Sequence, residues 1–391
     1  MLLNHELAQE IVDKTMKIIK INVNIFDDKG YIIGSGQKER LNTFHEGAYE
    51  VIGTGLSDEF PLEKAKKYKG VQPGILYPIE FNNKIIGVVG MTGDPEEIRN
   101  YGALVKMTTE MMFRQDFLTK QLRAEKNARD NYIKDIILGQ FGSDLDSFIE
   151  RGRNFEIDVL LERQAVVIDL VSGQNNRSLL SSELERQIHS DEILRILEYQ
   201  FSHKENLIVY MGSGRYVVLK RVDDKQRSKA AFIKSMNELS NKLGEHNFNA
   251  VIGIGSTQIH WLNLKASYVE ACDAIKIGMK VNDEAKVFHI QDLLLEKGLD
   301  TMDDNIKSSL ITSFLANAEH IEAKQRQEME KTLIALFDSN LNVSEAAKKL
   351  FLHRNSLTYR LKKLSESTGL DPLSFYDAVK IYTALILSRL K

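Results

Sequence analysis

The 391-residue sequence is short of cysteine, proline and long apolar runs. Its one cysteine, Cys272, cannot form an internal disulfide, which fits a reducing compartment. No cysteine pair is present for zinc, and the nine histidines show no ligand spacing, so neither a metal nor a cofactor is expected. Five prolines and the absence of low-complexity tracts exclude long disordered linkers. No apolar run approaches the roughly 20 residues needed to cross a bilayer. The N-terminal stretch mixes acids, bases and apolar residues at helical spacing, without the apolar block and small-residue cleavage site of a signal peptide. A soluble cytoplasmic protein that does not engage membranes is the expectation. There is no Gly-x-x-x-x-Gly-Lys loop, and Gly53-Thr54-Gly55 lacks a following lysine, which argues against nucleotide hydrolysis.

What is present is an ordinary globular balance, 43% hydrophobic and 27% charged. That is enough apolar material for two or three domains of roughly 100–200 residues each. The net charge of −3 hides an asymmetry. Residues 340–391 hold nine Lys/Arg against four acids, which is +5 and leaves −8 for the rest. A basic module on an acidic body is the electrostatic footprint of a nucleic-acid binder.

Along the chain, residues 1–20 read as an amphipathic helix. Strands are expected at 22–26 and 31–35 around the turn Asp27-Asp28-Lys29-Gly30, and at 75–81 and 84–91 around Asn82-Asn83. Residues 43–70 between the two hairpins read as helix and loop. Asp94-Pro95-Glu96-Glu97 starts a helix, with Asp as cap, Pro in the first turn and acids at the positive end of the dipole. Helical composition continues to Gly139. Leu104, Met111 and Leu118 are seven residues apart, with Leu122 and Ile136 roughly in phase, a pattern suited either to pairing with a second copy or to packing on its own domain. A second α/β block runs from about 164 to 295. Its strands are expected at 165–170, 207–210, 216–221 and 250–254, and its helices at 182–201, 225–244 and 262–279. From about Asp303 onward the chain reads as helical.

The most informative segment is 342–364. Ser344 is expected to cap a short helix that buries Ala346, Ala347 and Leu350; small alanines let a second helix cross closely. Phe351-Leu352-His353 makes the turn. A second helix begins near Arg354 and buries Leu357, Leu361 and Leu364 at i, i+4, i+7. Its outward face carries His353, Arg354, Asn355, Ser356, Thr358, Tyr359, Arg360, Lys362 and Lys363, donors suited to base edges and phosphates. Recognition helices read bases mainly through their N-terminal residues. Asn355, Ser356 and Tyr359 are therefore assigned to groove readout, and Arg354, Arg360 and Lys363 mainly to phosphate positioning.

The run Leu350-Phe351-Leu352-His353-Arg354-Asn355-Ser356-Leu357-Thr358-Tyr359-Arg360-Leu361, followed by Thr368-Gly369-Leu370-Asp371, resembles the C-terminal helix-turn-helix shared by carbohydrate diacid regulators and purine catabolism regulators. Upstream, Arg40 offers a bidentate grip for a carboxylate, and His45 a donor near neutral pH. Thr92 and Gly93 stand where a strand feeds a helix N-terminus, a place that attracts anions; Gly74 and Gly93 allow close backbone approach. The stretches 25–35, 44–48, 72–75, 78–81 and 87–95 are similar to the sugar-diacid recognition domain of the carbohydrate diacid regulators, over roughly residues 4–135. This chain has Gly34-Ser35 where a typical member has Ala-Ser. The resemblance implies a sensor for a small hydroxy-carboxylate such as glycerate, glucarate or galactarate, with Ser35, Arg40, His45, Gly74, Thr92 and Gly93 as ligand candidates. Residues 160–290 resemble the degenerate nucleotide-cyclase (GGDEF-like) domain of the same regulators. A working cyclase hairpin carries metal-holding acids, and here the turn reads Gly212-Ser213-Gly214-Arg215-Tyr216 without a carboxylate, so catalysis is not expected.

The expected architecture is multidomain α+β. It comprises an α/β sensor over 1–135, a long linking helix, a GGDEF-like α/β domain over 136–295 and an all-α helix-turn-helix domain over 305–391. The expected function is a ligand-responsive regulator, not an enzyme, that binds double-stranded DNA as a homodimer or higher homo-oligomer. The alternatives are a purine-catabolism-type regulator and a cyclic-dinucleotide signalling enzyme.

Overall fold

A computed structural model describes residues 3–69, 71–171, 183–222, 228–315 and 323–390. The chain divides into two compact units, residues 1–128 and 129–391.

In the first unit, α1 (His5–Ile19) precedes β1 (Asn22–Phe26) and β2 (Ile32–Ser35). Next come α2 (Glu46–Thr54), β3 (Asp58–Phe60) and α3 (Leu62–Ala65), then β4 (Gly74–Phe81) and β5 (Lys84–Thr92). The strands form an antiparallel sheet in the order β2-β1-β5-β4-β3. Alternation along β1 divides its two faces. Val23 and Ile25 join Ala8, Ile11 and Val12 of α1 in one core, while Phe26 joins Ile32, Val51, Phe60 and Leu76 in another. Asn82 and Asn83 both take positive φ, 48° and 60°, which closes the β4–β5 hairpin as expected of adjacent asparagines. Two details differ from the sequence reading. Tyr31 is outside β2 and makes an isolated bridge to Phe44. The span 43–70 includes β3, whose three residues Asp58, Glu59 and Phe60 offer too short an alternation to recognise.

Helix α4 (Pro95–Leu138) runs for 44 residues. The Asp94 carboxylate accepts from the Glu96 N–H at 3.1 Å, the cap read from the sequence. Its early turns bury Ile98, Val105 and Phe113 in the first core. Residues 118–128 are exposed on every face, and Leu104, Met111, Leu118 and Leu122 are 50–67% exposed.

The second unit begins within α4 and continues through α5 (Leu145–Asn154), β6 (Arg163–Leu170), α6 (Glu183–Gln200), β7 (Leu207–Gly212) and β8 (Arg215–Arg221). It proceeds through α7 (Lys229–Glu245), β9 (Ala250–Gln258), α8 (Leu264–Val281), β10 (Val287–His289) and α9 (Leu294–Asp300). The sheet order is β10-β9-β6-β8-β7, with only the β9–β10 pair parallel. Val166 and Ile168 face α6 and α7, whereas Ala165 and Val167 face α8 and the last turns of α4. The helix starts expected at 182 and 225 lie outside the described residues. Helix α5, which Asp144 caps, and strand β10 go beyond the elements expected from the sequence.

The remaining helices are α10 (Asp304–Leu315), α11 (Ala323–Phe337), α12 (Val343–Lys349), α13 (Arg354–Thr368) and α14 (Phe375–Leu390). Helix α14 is shared between two cores. Ile381 and Leu385 pack with Leu333 and Leu364 in the helix-turn-helix module, while Ile386, Leu387 and Leu390 enter the core beneath the second sheet. Arg389 reinforces this seam, donating to the Val281 carbonyl and pairing with Glu330.

Candidate DNA-reading helix and candidate ligand pocket

The helix-turn-helix is built on Leu336, Ala346, Ala347, Leu357 and Leu361, which form one small core. Ala346 is wholly buried where α12 and α13 cross, so any larger side chain there would push the helices apart. The cap of α12 is not Ser344 but Asn342. Its side-chain oxygen accepts from the Ser344 and Glu345 N–H groups at 3.0 and 3.2 Å, and Ser344 lies inside the helix. Asn and Ser cap about equally well, so the local sequence did not discriminate between them. The turn is held by Leu352 N–H to the Ala347 carbonyl at 2.9 Å and Phe351 N–H to the Lys348 carbonyl at 3.1 Å. His353 caps α13 through Nδ1, which accepts from the Asn355 N–H.

On α13, Leu357, Leu361 and Leu364 face inward as expected. His353, Arg354, Asn355, Ser356, Thr358, Tyr359, Arg360, Lys362 and Lys363 are all exposed. The Thr358 hydroxyl is turned back onto the Arg354 carbonyl at 3.0 Å. Asn355, Ser356, Tyr359, Arg360 and Lys363 line a solvent-open groove of about 650 Å³ whose other wall is Glu328, Met329 and Thr332 of α11. Among the described residues, Arg354, Arg360 and Lys363 form no ion pair, while Lys348 pairs with Glu345 at 3.0 Å. These three cations of α13 therefore face solvent without internal neutralisation, while Lys362 lies 4.0 Å from Glu366 one turn on.

The pocket in the first unit lies on the sheet face opposite α1. Asn24, Phe26, Arg40, His45, Phe60, Gln72, Gly74 and Thr92 line it, with Ile75, Leu76, Gly90 and Met91. The structure thus brings together four of the six residues considered, Arg40, His45, Gly74 and Thr92. Ser35 and Gly93 lie just outside. The Ser35 hydroxyl donates to the Asn24 side-chain oxygen at 2.6 Å, and Asn24 donates to the Thr92 hydroxyl at 3.3 Å, so Ser35 acts on the lining through Asn24. The Gly93 N–H is taken by the Pro73 carbonyl at 2.9 Å. Gly74 is required by the sheet itself, since a Cβ there would stand 2.0 Å from the Met91 carbonyl oxygen.

His45 is buried, and its Nδ1 accepts from the Ala48 N–H at 3.1 Å as the cap of α2. Burial, reinforced by the Arg40 charge, pushes its pKa down to about 4. It is therefore neutral at physiological pH, with its proton on Nε2. Arg40 Nη1 donates to the Gln72 side-chain oxygen at 3.0 Å across the pocket mouth. The enclosed volume is only about 10 Å³, the size of a single water. A larger occupant requires Arg40 and Gln72 to part. Sequence reading missed Asn24, Phe26, Phe60 and Gln72. Asn24 had a detectable signal, a polar residue at an inward position of an apolar strand.

In the middle domain, Gly212, Ser213 and Gly214 all have positive φ in the β7–β8 turn. Arg215 grips the Asp169 carboxylate with two bonds of 2.7 and 2.6 Å, an arrangement that raises the guanidinium pKa. The place where a cyclase hairpin would present an acid carries a cation.

No helix among the described residues is long and apolar enough to cross a membrane. Three family models match: sugar diacid recognition (Diacid_rec) over residues 3–136, the GGDEF-like domain over 139–277 and the PucR C-terminal helix-turn-helix domain over 329–387. The chain is 23% identical to a purine catabolism regulatory protein of Bacillus subtilis, over 98% of this chain and 71% of that protein. It is 26% identical, over the full length of both chains, to an uncharacterized protein of Haemophilus influenzae. It is 30% identical to the carbohydrate diacid regulator of Escherichia coli strain K12, over 99% of this chain and 98% of that one. Identity sustained across sensor, middle domain and helix-turn-helix alike places this chain in the carbohydrate diacid regulator family.

Proposed function

We propose that this transcription regulator senses a small hydroxy-carboxylate of the glycerate, glucarate or galactarate type and controls the genes for its breakdown. The observation that carries the reading is the convergence of Arg40, neutral His45 and Thr92 on one pocket. The guanidinium matches a carboxylate. The His45 Nε2–H and the amides of Asn24 and Gln72 suit the hydroxyls of such an acid. Ser35 and Gly93 support the site from behind through Asn24 and Pro73. Among the described residues no acid lines the pocket, which favours an anion over a basic or neutral purine.

The output is double-stranded DNA. His353, Arg354, Asn355, Ser356, Thr358, Tyr359, Arg360 and Lys363 form the contact surface, with Asn355, Ser356 and Tyr359 reading base edges and Arg354, Arg360 and Lys363 holding phosphates. Two copies act together. The exposed stripe Leu104, Met111 and Leu118 on α4 gives a second copy something to cover. Paired modules then meet two half-sites about 34 Å apart, or a multiple of that. The middle domain is structural: the β7–β8 turn holds no acid, and Arg215 at its end is paired with Asp169.

The deciding experiment is a thermal-shift screen of the full chain with hydroxy acids against purine metabolites. Stabilisation by a hydroxy acid alone supports the reading. Stabilisation by purines alone would replace it with the purine-type alternative. Turnover of nucleoside triphosphate with magnesium would revive the cyclic-dinucleotide enzyme.

A further inference from the structure

Phe351, in the turn between α12 and α13, is 97% exposed. Its backbone is left-handed, with φ of 54°. Each property alone is unfavourable for a bulky aromatic residue. Together they mark a position where glycine or asparagine would serve the fold better. Asparagine is the commonest such non-glycine residue elsewhere in the molecule. Among the described residues, ten non-glycine positions have positive φ, and five of them are asparagine. Leu341 is also left-handed, but its side chain packs against the core of Leu336, Ala346 and Leu357. Phe351 has no such compensation, for it joins no core cluster. The ring is therefore not explained by folding.

Its position supplies another reason. Phe351 stands two residues before His353, which opens the exposed polar row of residues 353–356 at the N-terminus of α13. Two residues span at most about 7 Å, or roughly two base-pair steps at 3.4 Å each. The one apolar group displayed in the major groove is the C5 methyl of thymine. We propose that Phe351 is a specificity-determining residue that packs on a thymine methyl beside the bases read by α13. The inference rests on the DNA-reading role of α13 and adds to it an apolar contact that none of the assigned polar residues provides.

The test starts with selection by the full wild-type chain from a random duplex pool of about 30 base pairs, long enough for two half-sites one turn apart. In the selected duplex, each thymine is then replaced in turn by deoxyuridine, which removes only the methyl. Dissociation constants are measured for wild type, Phe351→Gly and Phe351→Leu. For the wild type, one thymine in each half-site should matter, with about fourfold weaker binding on loss of its methyl. Phe351→Gly should bind the parent duplex more weakly and be indifferent to that replacement, while Phe351→Leu should keep part of the sensitivity. Because glycine accepts the left-handed backbone, Phe351→Gly should melt at the same temperature as wild type or about 2 °C higher. Weaker binding is then not a folding defect. A wild type insensitive to every methyl, or a glycine variant with wild-type affinity and methyl sensitivity, would overturn the inference. If the wild type enriched no sequence, the DNA-reading role of α13 would itself have failed.

Discussion

The sensor pocket and the recognition helix hold their functional groups in opposite ways. In the pocket the groups are bonded to one another before any ligand arrives. Ser35 holds Asn24, Asn24 holds Thr92, Gln72 holds Arg40, and His45 is committed to the cap of α2. On α13, Arg354, Arg360 and Lys363 extend into solvent, and the structure offers them no ion-pair partner among the described residues. The contrast follows from what each surface meets. A small acid is gripped by a few groups, so each must be aimed in advance. A duplex offers a row of phosphates, and mobile cations can find them while releasing counterions. Substitutions in the pocket should therefore act steeply and one residue at a time. Substitutions on α13 should act shallowly, except where a base edge is read.

The largest effect expected from this contrast is a pH dependence of the sensor. His45 has a folded pKa of about 4 against an ordinary value of 6.5. Between those values the unfolded chain binds the extra proton and the folded chain does not. The stabilisation is thus complete above pH 6.5 and is lost as pH falls toward 4, to the extent of about 3 kcal/mol. Burial also lowers the pKa of His289 in the middle domain, so the readout is hydrogen exchange in β1, β4 and β5 rather than global unfolding. His45→Asn, which still caps a helix, should flatten the slope in those strands. An unchanged slope would show that His45 is not its source.

Next in size is Arg40→Ala. Loss of this guanidinium should cost about 2–3 kcal/mol of hydroxy-acid binding, or roughly a hundredfold in Kd by calorimetry. DNA affinity without ligand should be unchanged. Asn355→Ala should lose about 1–3 kcal/mol on the preferred duplex and little on random DNA, measured by competition binding. Arg360→Ala is the mildest. It should weaken binding equally on all sequences and reduce the slope of log K against log salt by about 1. Equal losses on specific and random DNA for both α13 variants would erase the division between readout and positioning.

The same contrast explains what the sequence disclosed. Leu357, Leu361 and Leu364 mark the buried side of α13 by spacing alone, and the opposite side is then exposed by default. Asp94-Pro95-Glu96-Glu97 starts α4 through local rules, and Asn82-Asn83 turns the hairpin for the same reason. The pocket is different, because its lining comes from β1, β3, β4, β5 and the segments after β2 and before β4. Arg40 and His45 stood out by residue type, but Gln72 becomes significant only when the sheet brings it opposite Arg40. Phe26 and Phe60 read as ordinary core residues until the pocket is seen between them. The dual membership of α14 was equally hidden, since Ile381 and Leu387 look alike in sequence and only packing sends them to different cores. That shared helix ties the orientation of α13 to the middle domain, whereas the sequence pattern implied a separable module.

A regulator of this kind needs occupation of the sensor pocket and engagement of DNA by α13 to be energetically linked. The direct measurement is the affinity of the full chain for its best hydroxy acid, with and without a saturating selected duplex. Linkage requires two different dissociation constants, and the same ratio when duplex affinity is measured with and without the acid. Identical constants in the two conditions would contradict it, leaving a sensor and a DNA reader that share a chain but no free energy.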